Sequence, residues 1–90
     1  MAKNQKAVKN CPPFTFFYGP TLQALDDLGG SGSNEEIYNR VLLITQLPTD
    51  VVDVMHNFTM TEIEYRLAWA RTYLKNFGAI ENSKHRVWSL

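Results

Sequence analysis

The chain has a single cysteine, no excess of either charge, and no apolar run approaching the roughly 20 residues that a membrane span requires. Each shortage removes a class of protein. Cys11 alone cannot close an internal disulfide, so packing must hold the fold, and a reducing compartment is expected. As a reactive thiol it would need an electropositive setting that the sequence does not supply. The first ten residues carry Lys3, Lys6 and Lys9 but run into Cys11-Pro12-Pro13 instead of an apolar segment, so they do not read as a signal peptide and a cytoplasmic location is expected. Without secretion, the glycosylation sequon at Asn57-Phe58-Thr59 is a chance match. Ninety residues hold one small core and no second domain of ordinary size.

Groupings that carry chemistry are equally scarce. His56 and His85 lack cysteine partners and spaced carboxylates, so no metal site is expected. Asp26-Asp27 and Glu35-Glu36 are neighbours on presumed helices, where adjacent side chains diverge by about 100° and make poor acid–base couples. No nucleophile has a base to activate it. The glycines of Gly29-Gly30-Ser31-Gly32-Ser33 lack both a Gly-Lys-Ser/Thr signature and a preceding strand, so they read as a helix stop and not as a phosphate loop. The expectation is a protein that is not an enzyme, with no cofactor and no small-molecule substrate.

What is present is an ordinary globular composition, 44% apolar and 20% charged, with its charge unevenly laid out. Residues 1–10 carry three lysines and no acid. Residues 11–60 set Arg40 against Asp26, Asp27, Glu35, Glu36, Asp50 and Asp53, a balance of minus five. Residues 61–90 set Arg66, Arg71, Lys75, Lys84 and Arg86 against Glu62, Glu64 and Glu81, a balance of plus two. Zero net charge argues against nucleic acid, whereas basic ends around an acidic middle let one face meet phosphate.

Pro12-Pro13 forbids regular helix, so residues 1–13 are expected to form a flexible basic arm and residues 14–90 a single domain. Phe14, Phe16, Phe17 and Tyr18 are too apolar for solvent and should cover the core beside a first helix, starting near Pro20, running through Leu22, Leu25 and Leu28, and ending at Gly29-Gly30. Ser33 with Glu36 fits a capping box for a second helix from about Asn34, with Ile37, Val41, Ile44 and Leu47 on its apolar face until Pro48. Thr49 can cap a short helix through Val51, Val52 and Met55. A third long helix has two candidate capping boxes, Thr59 with Glu62 or Thr61 with Glu64, and Gly78 as its left-handed terminator. Its buried stripe is Ile63, Leu67, Ala70, Leu74 and Phe77. Beyond it, turn formers at Asn82-Ser83-Lys84-His85 separate Ala79-Ile80-Glu81 from Arg86-Val87-Trp88, which predicts a hairpin. The fold class is mainly α with a small β-hairpin, in the order of a winged helix-turn-helix; a plain helical bundle with a frayed tail is the rival.

Tyr65-Arg66-Leu67-Ala68-Trp69-Ala70-Arg71-Thr72-Tyr73-Leu74-Lys75, followed by Phe77-Gly78-Ala79-Ile80 and Arg86-Val87-Trp88, resembles the N-terminal winged-helix domain of Mrr-type restriction endonucleases. That domain typically shows an Arg followed by Trp-Ala-x-x-Tyr-Leu, and a Gly-x-Trp strand near its end. The resemblance implies binding to double-stranded DNA, with cleavage left to a separate nuclease domain. Two departures stand out. The Pro-Asp and Asp/Glu-x-Lys nuclease core has no counterpart, and Arg86 replaces the usual glycine, which implies a wing turn of different shape.

On that reading the candidate DNA-binding residues are Tyr65, Arg66, Trp69, Arg71, Thr72 and Lys75 on the third long helix and Lys84, His85 and Arg86 in the hairpin. Plainer roles stay open beside each. Glu62 and Arg66 are spaced to form an intrahelical pair. Arg71 and Lys75 repel each other at i, i+4 unless phosphate or an aspartate, Asp26, Asp27, Asp50 or Asp53, neutralises them. Trp69 can stack on a neighbouring helix, and the hairpin charges can be solvated. The competing function is a winged-helix module for protein–protein interaction or dimerisation, and a homodimer is compatible with either.

Overall fold

The computed structural model describes residues 11–90, so most of the expected basic arm, residues 1–10, lies outside the described residues. Two residues at the end of the expected arm, Cys11 and Pro12, are held against the domain. Cys11 is 3% exposed, and the backbone carbonyls of Cys11 and Pro12 both accept hydrogen bonds from Arg66.

Phe14–Phe17 forms a 3-10 turn that leads directly into α1, Tyr18–Asp27, so the first helix opens two residues before Pro20. Phe17 at the junction is wholly buried, while Phe16 remains 44% exposed. Gly29 and Gly30 both take positive φ, 87° and 105°, which lets the chain reverse into β1, Ser31–Ser33. α2, Asn34–Thr45, starts on the expected capping box, with the Ser33 hydroxyl accepting from the Glu36 amide and the Glu36 carboxylate accepting from the Ser33 amide. Such reciprocal caps contribute about 1 kcal/mol. Ile37 and Val41 are buried as expected; Ile44, in the last turn of the helix, is 36% exposed.

α3, Thr49–Val52, is a single turn capped at Pro48 with no side-chain hydrogen bond from Thr49, and it ends before Met55, which is 53% exposed. α4, Glu62–Asn76, uses Thr61 with Glu64 as its capping box. Thr59 is instead engaged with the Asn57 side chain, at 2.9 and 3.1 Å. Ile63, Leu67, Ala70 and Leu74 enter the core against α1 and the 3-10 turn. Phe77 does not. It is the residue at which the helix stops, past the last core layer, and it stays 67% exposed with its ring edge-on to Tyr18 at 5.9 Å. Gly78 follows with φ of 84°, the expected terminator.

The hairpin consists of β2, Glu81–Lys84, and β3, Val87–Ser89. Asn82, Ser83 and Lys84 belong to the strand, with a bulge between Asn82 and Lys84, and the turn narrows to His85-Arg86. Sequence reading missed β1. It pairs antiparallel with β3, Ser31 to Ser89 and Gly32 to Trp88, giving a three-stranded sheet in the order β1-β3-β2. The architecture is therefore mainly helical with a small antiparallel sheet, compatible with a winged helix.

Candidate nucleic-acid interface

Helical geometry divides α4 into four strips, because residues advance by about 100° each. One strip is the core. Opposite it, Tyr65, Thr72 and Asn76 face outward. One flank carries Glu64, Ala68, Arg71 and Lys75; the other carries Glu62, Arg66, Trp69, Tyr73 and Phe77.

The first flank borders a groove of about 730 Å³. Ser33, Asn34, Glu35, Tyr38 and Asn39 at the start of α2 form one wall; Glu64, Leu67, Ala68 and Arg71 of α4 form the other; Thr59, Met60 and Arg86 close the ends. Asn34 fixes the spacing between α2 and the hairpin. Its amide donates to the Arg86 carbonyl at 2.9 Å, and its side-chain oxygen accepts from the Trp88 indole at 2.7 Å. Arg86 itself takes φ of 59°, the left-handed region where glycine is favoured. The turn thus has the backbone a glycine would allow while carrying a cation into the groove.

Arg71 is the unusual member. It is 8% exposed, its Nε is buried with no hydrogen-bond partner, and its guanidinium carbon lies 5.7 Å from the Trp88 ring centroid. Burial pushes its pKa below the ordinary arginine value. A cation–π contact contributes about 1 kcal/mol, whereas a buried donor without an acceptor costs roughly 1–3 kcal/mol, and more when charged. The aromatic contact alone therefore leaves Arg71 undercompensated. None of Asp26, Asp27, Asp50 or Asp53 pairs with it. Among the described residues, ion pairs are confined to Glu62, with Arg66 at 2.7 Å and with His56 at 3.1 Å. Lys75, Lys84 and Arg86 are exposed and likewise have no carboxylate partner among the described residues.

The other flank is built differently. Arg66 donates from Nε to Glu62 at 2.7 Å and from Nη1 to the carbonyls of Cys11 and Pro12, both at 2.9 Å. Two of its three guanidinium nitrogens are therefore engaged inside the molecule. Burial by itself would raise the Glu62 carboxyl, but hydrogen bonds from Arg66 and His56, with their charges, outweigh it and hold the group below the usual carboxylate value. Tyr65 stacks on His56 at 3.6 Å, and the Thr72 hydroxyl donates back to the Ala68 carbonyl. Trp69 is 44% exposed and 6.1 Å from Tyr73, whose ring stacks on Phe14 at 5.1 Å. With Phe77 these rings form an aromatic ridge.

The nine sequence candidates are thus split. Arg71 and Arg86 both line the groove, Lys75 follows Arg71 along the same flank, and Lys84 and His85 extend along the exposed hairpin. Tyr65 and Thr72 lie on the outward strip, and Arg66 and Trp69 lie on the far flank. Sequence reading missed Asn34, Tyr38 and Asn39, whose place in the groove depends on contacts with segments about 30 to 50 residues away.

Residues 14–90 match the Mrr N-terminal domain. The chain belongs to that family. The match covers the 3-10 turn, the helices and the strands of the described residues, and it associates the chain with Mrr-type restriction systems. No curated protein and no solved structure matches the chain. No helix of the described residues is long and apolar enough to cross a membrane, and among them no group of three or more His, Cys, Asp or Glu residues could hold a metal ion.

Proposed function

We propose that this Mrr N-terminal domain binds double-stranded DNA through the groove flank and outward strip of α4 together with the β2–β3 hairpin, and that it performs no cleavage itself. The supporting observation is charge disposition: Arg71 and Arg86 line the groove, Lys75 shares a strip of α4 with Arg71, Lys84 lies on the hairpin, and none forms an ion pair with a carboxylate of the described residues. Zero net charge weighs less because several acids near the groove are occupied, while Glu35 at its wall stays exposed. Glu62 is spent on Arg66 and His56, and Glu64 caps α4. In this reading Tyr65, Thr72 and Asn76 face base edges while the cations hold phosphates.

Fluorescence anisotropy of a labelled duplex with the purified chain tests the proposal. Binding at low ionic strength that weakens steeply with salt, with the duplex left intact in the presence of magnesium, is expected. Absence of binding at low salt would overturn it.

A second reading has its own observation. The ridge of Trp69, Tyr73 and Phe77 exposes three large rings on the flank away from the groove, which suits a protein partner or a second copy of the domain. Sedimentation of the chain across a concentration series distinguishes self-association from its absence.

A further inference from the structure

We propose that Arg71, seated over Trp88 at the wall of the groove, is a binding site for a single phosphoryl group. The inference deepens the reading of the groove as a nucleic-acid face and rests on it in one respect, that the phosphoryl group belongs to a nucleic acid.

Three observations converge. The Arg71 side chain is more than nine-tenths buried, lines the groove, and has a guanidinium Nε with no acceptor among the described residues. Its guanidinium faces the Trp88 ring, and Trp88 in turn donates to Asn34 Oδ1, so the ring beside the guanidinium is itself anchored. Arg86, the second cation at the groove, is held by its carbonyl to the Asn34 amide. A planar fork with an unused donor suits a tetrahedral oxyanion, which accepts from several N–H groups at once. The α2 N-terminus adds a favourable dipole, although Ser33 and Glu36 already cap it. Two carboxylates also border the groove. Glu64 is turned to the Thr61 amide at 2.8 Å, and Glu35 is exposed. They disfavour a diffuse polyanion deep in the groove and leave room for one phosphoryl group beside Arg71.

The site predicts a specific signal. In ¹⁵N-correlated spectra of the whole chain, the Arg71 Nε–Hε resonance should move downfield, and the Trp88 indole resonance should move with it, on adding either the dinucleotide TpT or a short duplex. Thymidine, which has no phosphate, and sodium chloride at matched ionic strength should move neither. A response to inorganic phosphate with silence towards TpT and duplex would keep the phosphoryl site and overturn its nucleic-acid source. Resonances unmoved by every phosphate, or moved equally by thymidine, would overturn the site itself. Arg71→Met should weaken duplex binding about tenfold or more, the scale of a charge-assisted fork. Unchanged affinity in that variant, with the wild type still binding duplex, would refute the site while leaving the broader DNA reading intact. The spectra of the unaltered chain decide the matter even where the variant fails to fold.

Discussion

Arg66 and Arg71 stand five residues apart on one helix and have opposite fates. Arg66 is engaged on two of its three nitrogens: Nε donates to Glu62, and Nη1 donates to the carbonyls of Cys11 and Pro12. Arg71 is as buried as a core residue and has an aromatic ring but no acceptor among the described residues. A side chain that satisfies its donors internally is explained by the fold. In our proposal the unpartnered donor of Arg71 answers to a ligand, which would set its flank of α4 apart from that of Arg66.

The sharpest way to break the comparison is Arg66→Ala. Removing the guanidinium strands the nearly buried Glu62 with His56 alone and frees the segment at Cys11–Pro12, so a loss of about 2–4 kcal/mol is expected by urea unfolding. Duplex affinity per folded molecule should be little changed. Acid acts on the same pair. Because the folded Glu62 pKa lies below its unfolded value, its contribution is fully present above about pH 4.3 and is lost as pH falls through the folded value. Glu62→Gln should flatten that part of the stability profile.

Arg71→Met sharpens the comparison from the other side. Exchanging an unpartnered buried cation for an apolar chain should leave stability unchanged or raise it by up to about 2 kcal/mol, measured by thermal unfolding, even as binding falls. A large destabilisation would instead make Arg71 a structural partner of Trp88. Arg86→Gly should show the same opposition more weakly. Relief of the left-handed backbone should raise stability by about 0.5–1 kcal/mol while duplex binding declines several-fold. Smallest of all, Trp69→Ala should alter duplex binding less than threefold, because its ring lies on the ridge across α4 from the groove; a larger loss would merge the two flanks into one surface.

The sequence made these flanks legible to different depths. Periodicity placed the buried stripe of α4, and the spacings Ser33 to Glu36 and Thr61 to Glu64 placed two helix starts, because both signals are local. The match to the Mrr N-terminal domain agrees with the resemblance carried by the Trp69, Tyr73 and Trp88 motifs. β1 was hidden because Ser31-Gly32-Ser33 has little strand preference of its own and is paired by a strand more than fifty residues later. The same distance hid the groove. Nothing near Asn34 in sequence reveals that it will hold both Arg86 and Trp88. The Glu62–Arg66 pair was visible as an i, i+4 spacing, but its extension to the Cys11 and Pro12 carbonyls was not.

The most direct test is the salt dependence of duplex binding for the wild type, Arg66→Ala and Arg71→Met, plotted as log K against log salt. With four cations releasing counterions, the wild-type slope should be about −3 to −4; it should fall by about one unit in Arg71→Met and hold in Arg66→Ala. A wild type that shows no salt-sensitive binding, or a slope lowered by Arg66→Ala and untouched by Arg71→Met, would contradict the account.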